Sequence, residues 1–328
     1  MVERLRGAFG QAGSGLLTRV LLAFLTIYLV WGSTFLAIRV AIESIPPLLM
    51  CGLRLLSAGA LMVLWARARG DAWPRGREWR DAVAVGVLLP AIGNGAVTLG
   101  ETHVASGLVA LLVASIPLWM ALLTWLGPRG VRPAPLALLG LALGFAGVGL
   151  LLGPGALEAG HGTVSPLWAL IPVGGSLSWA WGSLFSRRAQ LPRSPHMGTG
   201  VGLVAGGVLL LVASALAGEP ARLDPALVRT SSLLSLAYLS ILGTVVTFSA
   251  YLFLLRTVSP TIVSTYAFVN PIVAMGLGWM FAGERLTTRT LAAAALVIAS
   301  VVLITVSRLR AAPAATAPAE RPRGRSAA

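Results

Sequence analysis

Apolar stretches of about 20 residues recur along the whole chain, with short polar breaks between them. A membrane-spanning α-helix needs this length to cross the hydrocarbon core of a bilayer, and most of these stretches carry little or no charge. Hydrophobic residues make up 56% of the 328 residues, and charged residues only 11%. A soluble core does not need so much apolar surface. The sequence therefore predicts an all-α polytopic membrane protein.

The spacing of the apolar stretches predicts ten transmembrane helices. The expected spans are residues 20–42, 47–66, 81–100, 104–126, 134–153, 166–186, 197–217, 232–255, 261–282 and 290–307. The first span follows Arg4, Arg6 and Arg19, as a signal peptide would follow its basic residues. It is too long for a signal peptide and lacks a convincing small-residue cleavage site, so we expect it to stay in the membrane.

The basic residues are distributed unevenly between the breaks. The net charge is +14, and all 25 basic residues are arginine. Arg39 and Arg54 lie in or near the membrane and are set aside. With a cytoplasmic N-terminus, nineteen of the other arginines fall on the cytoplasmic side, and Arg222, Arg229, Arg285 and Arg289 fall on the opposite side. Cytoplasmic loops of membrane proteins carry such an excess of positive charge. We therefore expect both termini in the cytoplasm and no nucleic-acid partner.

Several mechanisms are excluded by residues that the sequence lacks. Without lysine there is no Walker A loop and no Schiff-base amine. Cys51 is the single cysteine, so the chain has no intrachain disulfide and no multi-cysteine metal site. Asp71, Asp81, Asp224 and all three histidines fall in loops or at the ends of spans. We therefore expect that the protein is not an enzyme and that it binds no metal or cofactor.

Two parts of the sequence resemble each other. The segment "VASGLVALLVASIPLWMALLTWLG" at 104–127 aligns with "VSPTIVSTYAFVNPIVAMGLGWMF" at 258–281, so that Pro117 meets Pro271. The phrase "WGSTF" that begins at Trp31 returns as "WGSLF" at residue 181. Internal similarity of this kind indicates a duplicated structural unit.

The duplication predicts two five-helix repeats, residues 1–157 and 158–310, followed by a disordered cytoplasmic tail at 311–328 that is rich in Ala, Pro and Arg. Because each repeat has an odd number of crossings, the second would run through the bilayer in the opposite direction to the first. Secondary transporters use inverted repeats to open one central site to each side in turn. Channels also use them, so the repeat favours a transporter without requiring one.

The two aligned prolines lie about midway along their spans. Proline removes a backbone donor and displaces the carbonyl four residues earlier, here the carbonyls of Val113 and Ala267. In one interpretation, Pro117 and Pro271 expose these carbonyls to a substrate at the midplane. In the other, they are packing kinks of the kind common in membrane helices.

Six further polar or aromatic residues within the spans are candidates for the substrate path. They are Trp31, Ser33, Asn94, Trp181, Tyr266 and Asn270. Asn94 and Asn270 are the strongest candidates, because a buried amide without a partner is costly. Interhelical packing is the alternative role for all six. No carboxylate lies near the middle of a span, so neutral, zwitterionic or anionic cargo fits better than a cation.

Charged residues within the membrane are concentrated toward the outer face of the first repeat. Arg54 lies about 10 Å along the second span at 1.5 Å per residue, so it needs a partner or water there. We hypothesise a vestibule in which Glu101 or Glu43 balances Arg54, and in which Glu101 and His103 carry protons. The alternative is that these charges extend to water at the interface.

The chain resembles the EamA family of the drug/metabolite transporter superfamily over residues 20–307. The resemblance is carried, in order, by "YLVWGSTFLAIRVAIESIPPLLMCGLRLLSAG" (28–59), "GNGAVTLGE" (93–101), "SGLVALLVASIPL" (106–118), "GSLSWAWGSLFSRR" (175–188) and "SPTIVSTYAFVNPIVAMGLGWMFAGERLT" (259–287). It implies a ten-helix secondary transporter of the bacterial inner membrane, and an exporter of amino acids or other small metabolites. A passive facilitator and a membrane-embedded assembly protein remain the alternative functions. The expected partners are a small molecule and the lipid bilayer; proton coupling and a homodimer stay open.

The family's "GE" after the ninth span is present as Gly283 and Glu284. We expect Glu284 to cap or orient the tenth helix. The corresponding break after the fourth span, "GPRGVRP" at 127–133, contains no acid, so a symmetric role for Glu284 is not expected.

Overall fold

The computed structural model describes residues 14–127, 130, 132–152, 166–258, 260–263 and 265–311. Every regular element within these ranges is a helix. The predicted disordered tail lies outside the described residues except for Ala311, and so does the predicted boundary between the repeats at 157.

The long helices follow the predicted spans closely. They are α1 (Ser14–Ala41), α2 (Pro47–Ala68), α3 (Arg77–Glu101), α4 (Ser106–Leu126), α5 (Pro135–Leu152), α6 (Pro166–Ser186), α7 (Pro195–Leu216), α8 (Thr230–Thr257), α9 (Tyr266–Phe281, preceded by a turn at Pro260–Val263) and α10 (Thr288–Ala311). Of these described helices, all but α6 and α9 are long and apolar enough to cross a membrane, which makes eight. The all-α, multi-pass class predicted from the sequence is therefore confirmed, while the count of ten crossings stays a prediction.

Proline and glycine mark many of the helix ends. In the described chain, α2, α5, α6 and α7 each begin with proline, which lacks the N–H that the first turn of a helix leaves unpaired. Three of the breaks that follow helices contain a glycine with positive φ, at Gly70, Gly218 and Gly283. Only glycine adopts this conformation without strain, so these helices end at defined positions.

Glycines bring α2 and α7 into close antiparallel contact. A Cβ atom added to Gly59 would lie 2.6 Å from the backbone nitrogen of Val204, and one added to Gly207 would lie 2.5 Å from that of Leu56. Nearer the start of α7, a Cβ on Gly86 of α3 would overlap the carbonyl oxygen of Gly202. Real Cβ atoms do not approach a backbone so closely, so these helices pack only because their contact positions are glycine.

The contacts between the two predicted repeats follow a reciprocal pattern. Helix α1 packs against α8 and α9, and α6 packs in the same way against α3 and α4. Helices at equivalent places in the two repeats also pair, since α2 packs against α7 and α5 against α10. Inverted repeats related by an axis in the membrane plane would make contacts of this kind.

Two helices contain wide π turns that the sequence analysis did not predict. Residues Val87–Asn94 of α3 and Ile241–Val246 of α8 are π-helical, and the two segments begin 154 positions apart. This offset also relates Pro117 to Pro271. Pro90 lies inside the first π segment and removes one backbone donor from it. Because π turns are rare and occur often at functional sites, their repetition points to this region of the fold.

The two aligned prolines have different structural effects. Helix α4 is broken at Ala114 and Ser115, and Pro117 is the second residue of the helical piece that follows. Pro271 lies within the continuous helix α9, and the break before that helix comes earlier in the alignment, ahead of Tyr266. The two prolines, although aligned in the sequence, therefore occupy different positions relative to the helix breaks.

Candidate functional site

A central cavity of about 830 Å³, its open mouth included, lies between helices of both predicted repeats. Its described walls come from α1, α2, α3 and α4 and from α6, α8 and α9. The polar lining residues are Thr34, Arg54, Asn94, Ser176, Thr244 and Asn270. The aromatic lining residues are Trp31, Phe35, Trp179, Phe248 and Tyr266. The cavity is thus a mostly apolar chamber with a few polar groups, as is typical of small-molecule sites.

The structure brings five of the predicted site residues together in the described cavity wall. They are Trp31, Arg54, Asn94, Tyr266 and Asn270. These residues come from four different helices, α1, α2, α3 and α9, and α9 contributes two of them. Their convergence is a property of the tertiary fold, since the residues are up to 239 positions apart in the chain.

Arg54 is the charged group among the described lining residues. Its side chain is buried, with 4% of the residue exposed. The Nε atom donates a hydrogen bond to Oγ1 of Thr244 at 3.2 Å. Within the described chain, the buried Nη1 atom has no hydrogen-bond partner, and Arg54 makes no ion pair. The guanidinium is therefore held at the cavity through Nε, while the two N–H groups of Nη1 are unused.

Thr244 orients Arg54, and the sequence analysis missed it. The residue lies in the π segment of α8, and its hydroxyl donates to the carbonyl of Leu239, five positions earlier, at 2.8 Å. The same oxygen accepts the bond from Arg54. An isolated threonine in an apolar span gives little signal in a sequence, because its role depends on a residue 190 positions away.

Trp31 is the centre of an aromatic wall. Its ring meets Tyr266 edge to face, with centroids 5.0 Å apart, and meets Phe248 in the same manner at 5.6 Å. The indole N–H donates to the carbonyl of Gly243 at 3.2 Å. This wall therefore has a fixed orientation and presents flat apolar surface to the cavity.

The two asparagines proposed as the deepest polar groups differ in their partners. With its amide nitrogen turned toward α1, Asn270 donates to the carbonyls of Ile27 at 3.2 Å and Tyr28 at 3.3 Å. Asn94 is the last residue of the π segment in α3 and lines the cavity. Among the hydrogen bonds of the described residues, none involves its side-chain amide. Asn94 is therefore the amide available to a bound molecule.

Several predicted site residues lie outside the described cavity lining. Trp181 is 59% exposed on the outer surface of α6, whereas Trp179, two positions earlier, lines the cavity. The hydroxyl of Ser33 donates to the carbonyl of Val30 and shares a hydrogen bond of 2.6 Å with Tyr238. Pro117 and Pro271 do not line the cavity either.

The two carbonyls linked to these prolines have different positions. Val113, four residues before Pro117, is a cavity-lining residue. Ala267, four residues before Pro271, is not among the described lining residues. Of these two carbonyls, only that of Val113 therefore remains a candidate acceptor at the described cavity wall.

The ion pairs proposed for the outer vestibule are not formed. Glu43 pairs with Arg229 at 2.8 Å. Glu101 is fully buried, and neither of its carboxylate oxygens has a hydrogen-bond partner among the described residues. Arg39 donates to the main-chain carbonyl of Glu101 at 2.8 Å rather than to its side chain. Arg54 therefore has neither of the partners suggested from the sequence.

His103 lies near Glu101 in sequence but has a different environment. Its ring stacks on Trp168 with centroids 3.7 Å apart and an interplanar angle of 6°. Its Nδ1 atom shares a hydrogen bond of 2.6 Å with the hydroxyl of Thr102. His103 is solvent-exposed, whereas Glu101 is buried.

Glu284 caps a different helix from the one expected. Its carboxylate accepts from the N–H of Ser106 at 2.6 Å, from the hydroxyl of Ser106 at 2.7 Å and from the N–H of Gly107 at 3.0 Å. These donors form the first turn of α4 in the first predicted repeat. The prediction that Glu284 caps α10 is therefore wrong. Nothing in the sequence near Glu284 indicates that its partner lies 178 positions away.

The same device occurs at two other breaks. Gly218 is followed by Glu219, whose carboxylate accepts from the N–H groups of Leu48 at 3.2 Å and Leu49 at 2.8 Å, at the start of α2. Gly70 is followed by Asp71, which accepts a hydrogen bond from the hydroxyl of Ser194 at the start of α7. In each case the acidic residue that directly follows a glycine connects the end of one helix to the start of another.

Comparison with known proteins gives a family match over most of the chain. The model described as the EamA-like transporter family matches residues 18–153 and, separately, residues 166–306. The protein named "Uncharacterized inner membrane transporter YedA" of Escherichia coli strain K12 is 37% identical over 287 residues, which cover 87% of this chain and 90% of that protein. "Uncharacterized transporter YvbV" of Bacillus subtilis strain 168 is 27% identical over 288 residues, 88% of this chain and 91% of that protein.

A solved crystal structure has a similar fold. It superposes with a TM-score of 0.60 at 20% sequence identity, and the match covers 88% of this chain and 98% of that chain. The helix arrangement described above is therefore shared with a protein of low sequence similarity.

Proposed function

The chain belongs to the EamA-like transporter family, and we propose that it is a secondary transporter that moves a small metabolite through the central cavity. In this proposal, residues 1–157 and 158–310 are inverted five-helix repeats that rock against each other. The two separate matches of one family model, at 18–153 and 166–306, support the division. The reciprocal contacts between helices support it as well.

The observation that carries the proposal is the position of the cavity. It lies where the two proposed repeats meet, and both π segments border it through Asn94 and Thr244. In transporters built from inverted repeats, the binding site lies at the repeat interface, and interrupted helices line it. A relative movement of the repeats would then open the cavity to each side of the membrane in turn.

For direction and location, we propose export of amino acids or other small metabolites across the bacterial inner membrane, with both termini in the cytoplasm. The distribution of arginines supports this orientation. The printed name of the Escherichia coli relative, an inner membrane transporter, supports the location.

Proton coupling is proposed to involve Glu101. Both carboxylate oxygens of Glu101 are buried without a hydrogen-bond donor among the described residues, and an ionised carboxylate in that position is costly. A bound proton removes this cost, and so does a conformational change that brings water or a donor to the carboxylate. A residue under this constraint can link proton binding to a conformational change. The exposed His103, already stacked on Trp168, is the weaker candidate.

The test is transport by the purified full-length protein in liposomes. Vesicles are loaded in turn with labelled amino acids and small organic acids, and exchange is measured with and without a pH gradient. Val113→Trp should fill the cavity and abolish exchange, because Val113 is a lining residue. Val208→Trp is the matched control, since Val208 is 48% exposed on the surface of α7.

The outcomes separate the candidate functions. Exchange that the cavity variant abolishes and a pH gradient drives uphill supports secondary transport. Exchange that never exceeds equilibration would indicate a passive facilitator. No exchange of any compound by the wild type, in vesicles shown to contain folded protein, would contradict the proposal and favour an assembly role.

A further inference from the structure

We propose that Arg54 is the anion anchor of the cavity, and that the substrate is a small organic acid with one carboxylate and an apolar or aromatic body. The inference rests on the proposed function, because it assigns the substrate class of the same cavity. Its first support is the state of the guanidinium. Arg54 is buried, and its Nη1 donor has no partner among the described residues.

An unpaired buried arginine is costly to keep. The guanidinium stays charged in proteins, so it cannot relieve the cost by losing a proton. Burying a charge without a partner disfavours the fold, unless an anion pairs with it in the functional state. Within the described chain, neither Glu43 nor Glu101 forms an ion pair with Arg54. Arg54 lines the cavity, so an anion bound there can pair with the guanidinium.

The anchor is held in one orientation. The bond from Nε to Thr244 fixes one edge of the guanidinium against α8, and the buried Nη1 atom has no partner among the described residues. A preorganised donor binds an anion more tightly than a mobile one, because less side-chain entropy is lost on binding. Arginine also presents donors in a planar fork that matches a carboxylate.

The charge of the cavity selects against other classes of substrate. Arg54 is the charged residue among the described lining residues, and no carboxylate lines the cavity with it. A cation would meet a like charge without a counterion. A neutral molecule offers Nη1 only an uncharged acceptor, and that hydrogen bond is weaker than one to a carboxylate.

The aromatic wall fits an apolar body. The ring of Trp31 packs against both Phe248 and Tyr266. Their flat surfaces suit an aromatic or branched group, and the amide of Asn94 is available for one polar substituent. The cavity therefore has separate contacts for the acid and for the body of the molecule.

The experiment compares three probes that differ only in one group. Phenylacetate, phenylacetamide and phenethylamine have the same ring with a carboxylate, a neutral amide and an ammonium. Binding to the purified full-length protein in nanodiscs is measured by calorimetry and by the shift in thermal unfolding. We expect phenylacetate to bind about ten- to a hundredfold more tightly than the amide, and the amine not to bind.

The variants locate this preference at Arg54. In Arg54→Gln the advantage of the carboxylate should disappear, whereas Arg222→Gln, at an exposed arginine, should keep it. If Arg54→Gln does not fold, Arg54→Lys replaces it. That variant should keep a reduced preference, because lysine retains the charge but not the planar fork. Thr244→Val should also reduce it, since it releases Nε.

Two results would overturn the assignment. One is equal binding of the acid and the amide to the wild type, or no binding of the acid at millimolar concentration. The other is a carboxylate preference that survives in Arg54→Gln. These outcomes are distinct from failure of the proposed function, because binding is scored without transport. Exchange of neutral or cationic metabolites in liposomes would keep the transporter and reject the anchor.

Discussion

Glu284 and Ser106 are joined by two short hydrogen bonds although 178 positions separate them in the chain. The carboxylate of Glu284 accepts from the main-chain N–H of Ser106 at 2.6 Å and from its hydroxyl at 2.7 Å. Because these groups begin helix α4, the acid pairs with the positive end of that helix. The bond thus links the break after α9 to a helix of the other proposed repeat.

Replacing Glu284 should destabilise the protein. We expect Glu284→Ala to lower the free energy of unfolding by about 2 kcal/mol, because it removes a charged cap from α4. Glu43→Gln is the control, since it removes an ion pair between exposed side chains that contributes about 0–1 kcal/mol. Thermal unfolding in detergent measures both. Equal stability of the two variants would show that the cap contributes nothing beyond a surface ion pair.

The contact between α3 and α7 should not tolerate a methyl group at Gly86. A Cβ at this position would overlap the carbonyl oxygen of Gly202, so Gly86→Ala should cost about 1–3 kcal/mol and force the helices apart. Gly149→Ala is the matched control, because nothing lies within 4 Å of a Cβ there. Both variants are compared by thermal unfolding and by yield of monodisperse protein. The packing described here would be contradicted if Gly86→Ala were as stable as Gly149→Ala.

Two tryptophans that looked alike in the sequence should respond differently to mutation. Trp31→Leu should weaken substrate exchange about tenfold, because it removes the centre of the aromatic wall. Trp181→Leu should leave exchange unchanged, since Trp181 is 59% exposed on the other side of its helix. Exchange rates in liposomes, normalised to protein, give the comparison. A larger loss for Trp181→Leu would place the substrate path elsewhere.

Glu101 should control the response to a pH gradient. We expect Glu101→Gln to lose stimulation by the gradient while it keeps exchange of substrate for substrate, because exchange needs no net proton movement. His103→Gln should retain the stimulation, since His103 is exposed and stacked on Trp168. Flux measured with and without the gradient tests both variants. If Glu101→Gln still responded like the wild type, Glu101 would not be the coupling group.

Corresponding breaks of the two repeats should face opposite sides of the membrane. In a background without Cys51, a cysteine in place of Arg75, after α2, should react with an impermeant maleimide only from the cytoplasmic side. A cysteine in place of Arg222, after α7, should react only from the outside. Labelling of intact cells and of inverted vesicles distinguishes the two sides. Reaction of both positions from the same side would disprove the inverted repeat.

The sequence predicted the positions of the helices well, because a transmembrane segment is recognised by length and apolar composition alone. Arg54 and Asn94 could also be selected, since charged and amide groups within spans are costly unless they have a role. Trp31 could be selected because its flat face and single N–H suit a small-molecule site. These inferences depend on properties of single residues. They do not require knowledge of which helices are neighbours.

Inferences that depend on neighbouring helices could not be made in this way. Trp179 lines the cavity and Trp181 does not, because positions two apart on a helix point about 200° away from each other. The sequence does not show which of the two faces the cavity. Thr244 and Glu284 act on residues in distant parts of the chain. The π segments change the helical period, so a periodicity of 3.6 residues does not describe that part of the wall.

Each of the two π segments in the cavity wall contains extra residues relative to a regular α-helix. A π turn contains one residue more than an α turn, so a shift of hydrogen bonds from the fifth residue back to the fourth would take up that surplus. Such a shift rotates the rest of the helix by about 100° per residue. In α8 it would carry Thr244 away from the guanidinium that it now holds. Release of the proposed substrate anchor, Arg54, would then accompany the change of α8 from π to α hydrogen bonding.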